Sequence, residues 1–295
     1  MVQKYPVRPA PIPPPPQRVK RDDDEYHMLE QKEWMAVFSW LSQVDLLACS
    51  QVSKTFHRWA MHHSLWTRMA FPNTRLRQSH LIAIVKRQPI TLDLSWTNIS
   101  HRKLDWLITR LPHLRHLDLS GCSWAAVCAL CSPSCPLLHS LNLSWVSGLV
   151  SGCIRDLVSP PVEQRPGVDH SLSRLHHCHS LNLSGANINT SAFPVLAHNL
   201  PKLAKLQLDF CVKLTDESIE TLVASLPDLR ALSMSRCHGL TTEVFKHLSK
   251  LQSIETLEIQ NCLKISHGSV ETFVENKSGA TLNDSSGVIY FGKKV

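Results

Sequence analysis

LRHLDLSGCSW, residues 114–124, and CHSLNLSGANI, residues 178–188, decide how this chain folds. In each, two leucines one residue apart (Leu117 and Leu119; Leu181 and Leu183) alternate with polar residues, the period-2 pattern of a short strand with one buried face. The same pattern returns in PITLDLSWTNI (89–99), LHSLNLSWVSGL (138–149), LAKLQLDFCVKL (203–214), LRALSMSRCHGL (229–240) and IETLEIQNCLKI (254–265). The first inward leucines are Leu92, Leu117, Leu141, Leu181, Leu206, Leu232 and Leu257, at steps of 25, 24, 40, 25, 26 and 25 residues. Chance alternation does not keep such a register, so the chain is an array of coils.

Each coil has a physical logic. The paired leucines point inward from a parallel strand, and a preceding residue such as Leu114 fills the layer before them. A Thr, Cys, Asn or Ala residue sits where the chain turns, as at Thr97, Cys122 and Cys211. A helix follows, clearest in KLDWLITRLP (103–112), CIRDLVSPP (153–161), SAFPVLAHNLP (191–201), ESIETLVASLP (217–227) and TEVFKHLSKL (242–251). Helices are thicker than strands, so the stack bends with its strands on the concave side. The expected class is α/β: a leucine-rich-repeat solenoid, a curved parallel sheet with outer helices, over residues 71–275. The 40-residue step carries SPPVEQRPGVDHSLSR (159–174), a polar insertion that must loop out and is either a binding loop or a neutral excursion. Leu65 to Val85 read as a degenerate first coil with Trp66, Met69 and Phe71 in place of leucines, capped by what precedes it. At the other end, in a cap or tail over 276–295, GVIYFGKKV (287–295) offers a covering strand for the last edge.

Upstream, EWMAVFSWLSQVDLLACSQVSKTFHRWAMHHSLWTRM (33–69) has a different period. Trp34, Val37, Phe38 and Leu41 share a helical face. Ser42 is placed to cap a second, short helix with Val44, Leu46 and Leu47, and Ser50 to start a third bearing Val52, Phe56 and Trp59. Leu65 and Trp66 close this small all-α module, residues 28–70. So short a unit leaves a face in need of a neighbour: the array on one side and another protein on the other. Residues 1–27 are proline-rich and expected to be disordered; a linker, a proline-rich ligand and a nuclear import signal (Arg18, Lys20, Arg21) are the open readings. Asp22 to Glu25 suit the dipole of the first helix.

The 295 residues are 43% hydrophobic, enough for a core, and carry a formal charge of +7 with the bases scattered, which permits an anionic partner without requiring one. No run of 18 apolar residues and no cleavable leader is present, which predicts a soluble chain made in the cytosol, with no membrane partner. The nucleus is the expected compartment, with the cytoplasm open as well. Ten cysteines would suggest disulfides in a secreted chain, but Cys122, Cys211, Cys237 and Cys262 each fall three residues after the last apolar residue of a strand. They are expected buried and reduced.

No catalytic constellation emerges. Phosphate-binding, nucleophile-elbow and HExxH motifs are absent, and no cofactor is expected. Cys128 and Cys131 with Cys135 lack the second pair or histidines of a zinc site. The run His176, His177, Cys178, His179 is tempting, but Cys178 occupies a strand-entry leucine position with its neighbours alternating outward. What the array offers is a surface. Asp93 and Ser95, His116, Asp118 and Ser120, Asn142 and Ser144, Asn182 and Ser184, Gln207 and Asp209, Glu258 and Gln260 flank the inward leucines on the concave side. They are partner-binding candidates, against the plain alternative that strand faces turned to water are polar anyway. Trp96, Trp124 and Trp145 follow three successive strands and either form an aromatic ridge for a partner or cover the helix layer.

WMAVFSWLSQVDLLACSQVSKTFHRWAMHHSLW (34–66) resembles an F-box. DLSWTNIS (93–100), GCSWAAVCALCSPSCPLL (121–138) and IRDLVSPP (154–161) resemble the C-terminal region of the JmjC-type histone lysine demethylase 2 family and its F-box relatives. The likeness runs from about residue 28 to at least 275. It implies a module that docks on the Skp-type adaptor of cullin-RING ubiquitin ligases, through positions matched by Val37, Phe38, Leu41, Val44, Leu46 and Leu47. It implies repeats that receive a protein target, possible targets including chromatin-associated ones, and no direct contact with nucleic acid. Substrate recognition in an SCF-type ligase is the function implied first; a Polycomb-type chromatin scaffold using the same adaptor contact is the alternative. The usual Leu-Pro opening is replaced by Glu33 and Trp34, and Pro72 to Gln78 depart from the family's first repeat. The residues quoted include no JmjC iron site, cysteine-rich zinc finger or PHD finger, so the resemblance implies no demethylation and no enzyme.

Overall fold

The computed structural model describes residues 23–160, 173–276, 280–283 and 288–291. The expectations for residues 1–22, most of the insertion (161–172) and parts of the C-terminal tail lie outside them. The chain divides into two compact units, residues 1–65 and 66–295.

The first unit is helical: α1 (Asp23–Phe38), α2 (Gln43–Cys49) and α3 (Lys54–Ala60), followed by a 3-10 turn at His63–Trp66. Ser42 caps α2 as expected, accepting from the Asp45 N–H at 3.3 Å. The third helix starts later than the sequence suggests. Ser50 is the C-terminal cap of α2, and Ser53 caps α3 by accepting from the Phe56 N–H at 3.0 Å. Val52 therefore sits between helices and is exposed, while Phe56 and Trp59 remain on α3. Leu41 likewise lies in the turn after α1. The interior is aromatic. Phe56 meets Trp34 at 4.7 Å between ring centroids and Phe38 edge-on at 5.5 Å, a geometry favoured by ring quadrupoles.

The second unit alternates strand and helix: β1 (Arg68–Ala70), α4 (Gln78–Arg87), β2 (Thr91–Asp93), α5 (His101–Ile108), β3 (His116–Asp118), α6 (Trp124–Val127), β4 (Ser140–Asn142), α7 (Ser151–Val158), β5 (Ser180–Asn182), α8 (Ala192–Asn199), β6 (Lys205–Gln207), α9 (Asp216–Ser225), β7 (Ala231–Ser233), α10 (Val244–Leu248), β8 (Thr256–Glu258), α11 (His267–Asn276), β9 (Ala280–Asn283) and β10 (Val288–Phe291). The strands form one sheet in the order β1 to β8, then β10, then β9. Strands β1 to β8 are parallel and in register, so Met69, Leu92, Leu117, Leu141, Leu181, Leu206, Leu232 and Leu257 stand side by side, all buried. This is the leucine-rich-repeat solenoid read from the sequence. The 40-residue step is absorbed after α7, since Leu141 pairs with Leu181 as closely as any other neighbours.

The last edge of the sheet is covered as the sequence suggests, with one addition, and β1 is the first strand of the sheet. Strand β1 joins the degenerate first coil to β2, and the departure at Pro72 to Gln78 does not interrupt it: Phe71 and Asn73 donate to Asp93 O and Ser95 O at 2.9 and 2.8 Å. Strand β10 pairs antiparallel with β8, covering the edge, and β9 pairs with β10 beyond it.

A hydrogen-bond ladder outside the strands locks the coils together. The fourth residue after each inward leucine has a left-handed backbone: Trp96, Gly121, Trp145, Gly185, Phe210, Arg236 and Asn261, with φ between 54° and 75°. The N–H of all but the last donates to a carbonyl of the next coil, as from Trp96 to Ser120 and from Gly185 to Asp209, both at 2.7 Å. Beneath this turn, Cys122, Cys211, Cys237 and Cys262 are buried, and each thiol reaches a carbonyl of the preceding coil, Cys237 to Leu208 O at 3.1 Å. The small weak donor adds a second hydrogen bond to carbonyls that, at Leu94, Leu183 and Leu208, already accept an N–H of their own turn. Burial pushes Cys211 and Cys237 up to about 12.

Candidate functional site

Two surfaces stand out, one in each unit. On the helical module the apolar side chains divide sharply. Phe38 and Leu46, at 1% and 2% exposure, are interior residues and present nothing to a partner, which corrects the expectation that all six matched positions form the adaptor surface. Val37, Val44 and Leu47 are exposed, Val44 at 75%, and Leu41 is half-buried. Trp40, missed in the sequence reading, is 90% exposed. Its place just after α1, where helical spacing no longer applies, hid it. Among the described residues, the Trp40 indole and the three aliphatic side chains of Val37, Val44 and Leu47 stay exposed on α1, α2 and the turn between them, apolar surface of the kind that a partner covers.

On the array the strand-exit row carries most of the candidates, and many are already occupied. Asp93, Asp118, Asn142 and Asn182 each accept, through Oδ1, the N–H of the serine two residues on, at 2.8 to 3.0 Å. They are Asx turns that release the chain from its strand. Asp118 also accepts from Asn142 Nδ2 at 2.7 Å, tying adjacent coils. Ser233 replaces this residue in β7, and Asp209 of the preceding coil takes over its task, accepting from the Ser235 N–H at 2.8 Å and from Ser233 Oγ. Ser95, Ser120, Ser144 and Ser184 are buried and do not belong to the outer surface, contrary to expectation.

The tryptophans separate as well. Trp96 and Trp145 occupy the left-handed turn and are 59% and 45% exposed. Each ring lies over the glycine at the same position of the next coil: a Cβ built on Gly121 would stand 2.4 Å from Trp96 Cδ2, and one on Gly185 2.6 Å from Trp145 Cε3. Trp145 continues to Phe210 at 4.9 Å, and the Arg236 guanidinium lies 5.1 Å over that ring. Trp124 is not a member of this ridge. It is the first residue of α6, half-buried, three residues beyond the turn that Gly121 holds. Phe210 and Arg236 are the members the sequence reading overlooked, and the register of the left-handed position was the signal that contained them.

His116 is exposed at the entry of β3 and belongs to a cluster with His139, His176, His177 and His179. The cysteines near α6 show no metal-site geometry: among the described residues no three His, Cys, Asp or Glu side chains gather as a metal ion would need. Burial drives Cys131 and Cys135 to about 11 and about 12.

Residues 34–72 match the F-box-like family model. The chain is 39% identical over 282 residues to lysine-specific demethylase 2B of Mus musculus and 36% identical over 259 residues to lysine-specific demethylase 2A of Xenopus tropicalis, covering 94% and 86% of this chain. It spans 22% of the length of each of those proteins. Among solved structures it is similar to a chain of the TLR13–ssRNA13 complex (TM-score 0.43, 19% identity, 63% of this chain and 25% of that one). It is also similar to a chain of the yeast Rad7–Elc1 complex (TM-score 0.41, 14% identity, 85% of each chain). Both structural likenesses are distant. The chain is thus an F-box-like module followed by leucine-rich repeats, homologous over nearly all its length to a segment of the lysine-specific demethylase 2 proteins.

Proposed function

We propose that this chain is a non-catalytic substrate-recognition subunit of an SCF-type cullin-RING ubiquitin ligase. In this reading the helical module docks on the Skp-type adaptor and the repeats receive a protein target. The observation that carries it is the exposure of Trp40, Val37, Val44 and Leu47 on a module whose aromatic interior is already filled by Phe38 and Trp59, with half-buried Phe56 between them. Full burial of a Val or Leu is worth on the order of 1.5–3 kcal/mol, so three or four such residues supply the core of a stable interface. The F-box-like match over residues 34–72 supports the same assignment.

A second reading uses the same adaptor contact for assembly of a Polycomb-type chromatin complex without ubiquitination of a bound target. The homology to lysine-specific demethylases favours it, and favours a nuclear location in either case.

The test is capture of purified Skp-type adaptor by the full chain. Val44→Asp and Leu47→Asp are expected to weaken capture at least tenfold while leaving the thermal transition in place, because both side chains are exposed. Unchanged capture would remove both readings. Accumulation of one bound protein when the chain is depleted from cells separates ligase from scaffold.

A further inference from the structure

The strand-entry edge of the array has a chemistry unlike its exit edge. Across the register His116 stands beside Ser140, then Ser180, then Lys205. One residue upstream the row is Arg115, His139, His179, Ala204 and Arg230. The rings follow one another: His139 lies 6.3 Å from His116, 5.5 Å from His179 and 6.3 Å from His177, whose ring is tilted against that of His176 at 4.0 Å. Five of the chain's 17 histidines thus meet within the β3 to β5 coils, too many for an ordinary solvated strand face. Lys202 Nζ donates to His177 Nδ1 at 3.0 Å. His116, His179, Lys202, Lys205 and Arg230 are exposed.

Among the described residues, the charged groups of this entry row from β3 to β7 are basic, and the carboxylates of the exit row begin at Asp118, two residues along β3. Desolvation and then Arg115, His179, His116 and Lys202 press the His139 pKa below its usual value, and desolvation, His176, Lys202, His139 and His179 do the same to His177. Among the described residues, carboxylates at the border include Asp228, which shares with His179, Lys202 and Arg230 a cavity of about 400 Å³, and Glu255, 3.6 Å from Arg230.

We propose that this entry edge binds an extended acidic segment of a partner protein, more tightly as pH falls from 7.5 to 6. The proposal rests on the reading of the repeats as the target-receiving part and names the chemistry of what they receive. Carboxylates laid along the row supply the opposite charge that the cluster lacks. They favour the imidazolium form of His139, so binding takes up a proton, and linkage makes that proton worth about tenfold in affinity per pH unit. Asp and Glu side chains, with ordinary values near 4, stay ionised throughout this window, so the pH dependence belongs to the histidines.

Geometry selects a polypeptide over nucleic acid. The exit row with Asp93, Asp118, Asp209 and Glu258 begins two residues along the strands, roughly 7 Å away and within one Debye length of about 8 Å. A broad polyphosphate would straddle both rows and meet the carboxylates. A single extended peptide fits within the basic one.

The experiment is fluorescence anisotropy of a labelled Glu-rich peptide with the full chain at pH 7.5 and 6.0. Affinity is expected to rise at least about tenfold at the lower pH. His139→Gln with His179→Gln should flatten that rise, and Lys202→Gln should weaken binding at both values. If the double variant does not fold, His139→Gln alone, at a half-buried position, should still flatten the rise. No binding at pH 6.0, or a slope unchanged in the variants, overturns the proposal, as does tighter binding of a single-stranded oligonucleotide of equal charge. Capture of the adaptor by the same variants is a separate readout. Its loss in the wild-type chain would count against the proposed function, whereas intact capture without peptide binding would count against this site alone.

Discussion

The helical module and the repeat array solve the problem of limited core in opposite ways. The module has three helices, two of them of seven residues, and leaves Trp40, Val44 and Val52 in water. The array has coils that are each too thin to be stable, yet its column from Met69 to Leu257 is buried throughout because every coil completes its neighbour. A unit that finishes its interior and still exposes apolar side chains is built to be completed from outside. A unit that stacks on itself is free to devote its surface to charge and aromatic rings.

Substitutions should expose this contrast, and the largest effect belongs to the column. Leu206→Ala removes a fully buried side chain and is expected to cost about 2–5 kcal/mol, read as a lower urea midpoint. Val44→Ala in the module should shift stability by less than about 0.5 kcal/mol. Equal effects would erase the distinction. Next comes the turn ladder. Gly121→Ala places a methyl against the Trp96 indole at a φ of 69° and should cost about 1–3 kcal/mol. Adding Trp96→Ala should recover the clash but not the backbone strain, so the pair is non-additive in a double-mutant cycle.

A smaller effect, chemical rather than energetic, tests the buried thiols. With values pushed to about 12, Cys211 and Cys237 hold almost no thiolate at pH 7.5 and should stay unlabelled by an alkylating reagent in the folded chain. In urea both should label fully, as mass spectrometry would show. Labelling at equal rates in both states would contradict their place in the ladder. The smallest effect is that of Trp145→Ala, an exposed ring whose loss should leave the urea midpoint nearly unchanged while removing the Phe210 contact.

The array was legible because its signal is redundant: seven apolar pairs, each opened by a leucine, report one register, and the insertion after Val158 changes spacing without changing phase. Cys178 at a leucine position was read correctly for the same reason, and it is buried. The module gave less because a short helix holds only one or two repeats of its period. Three serines, Ser42, Ser50 and Ser53, compete as caps within 12 residues, and only the backbone decides among them. Burial of Phe38 and Leu46 beside exposed Val37 and Leu47 was equally hidden, since neighbours one residue apart point to different sides of a helix. The histidine cluster was scattered in sequence, from His116 to His179, and parallel pairing alone brought it together. The Asx turns escaped because the letters Asp and Asn do not say whether their oxygens face outward or back to the chain.

Hydrogen exchange of the full chain, with and without a saturating Skp-type adaptor, tests the division of labour most directly. The account predicts new protection confined to the α1–α2 turn and the adjoining helices, within residues 34–60, with the strand ladder of residues 68–258 unchanged. Protection appearing only in the array, or nowhere, would contradict it.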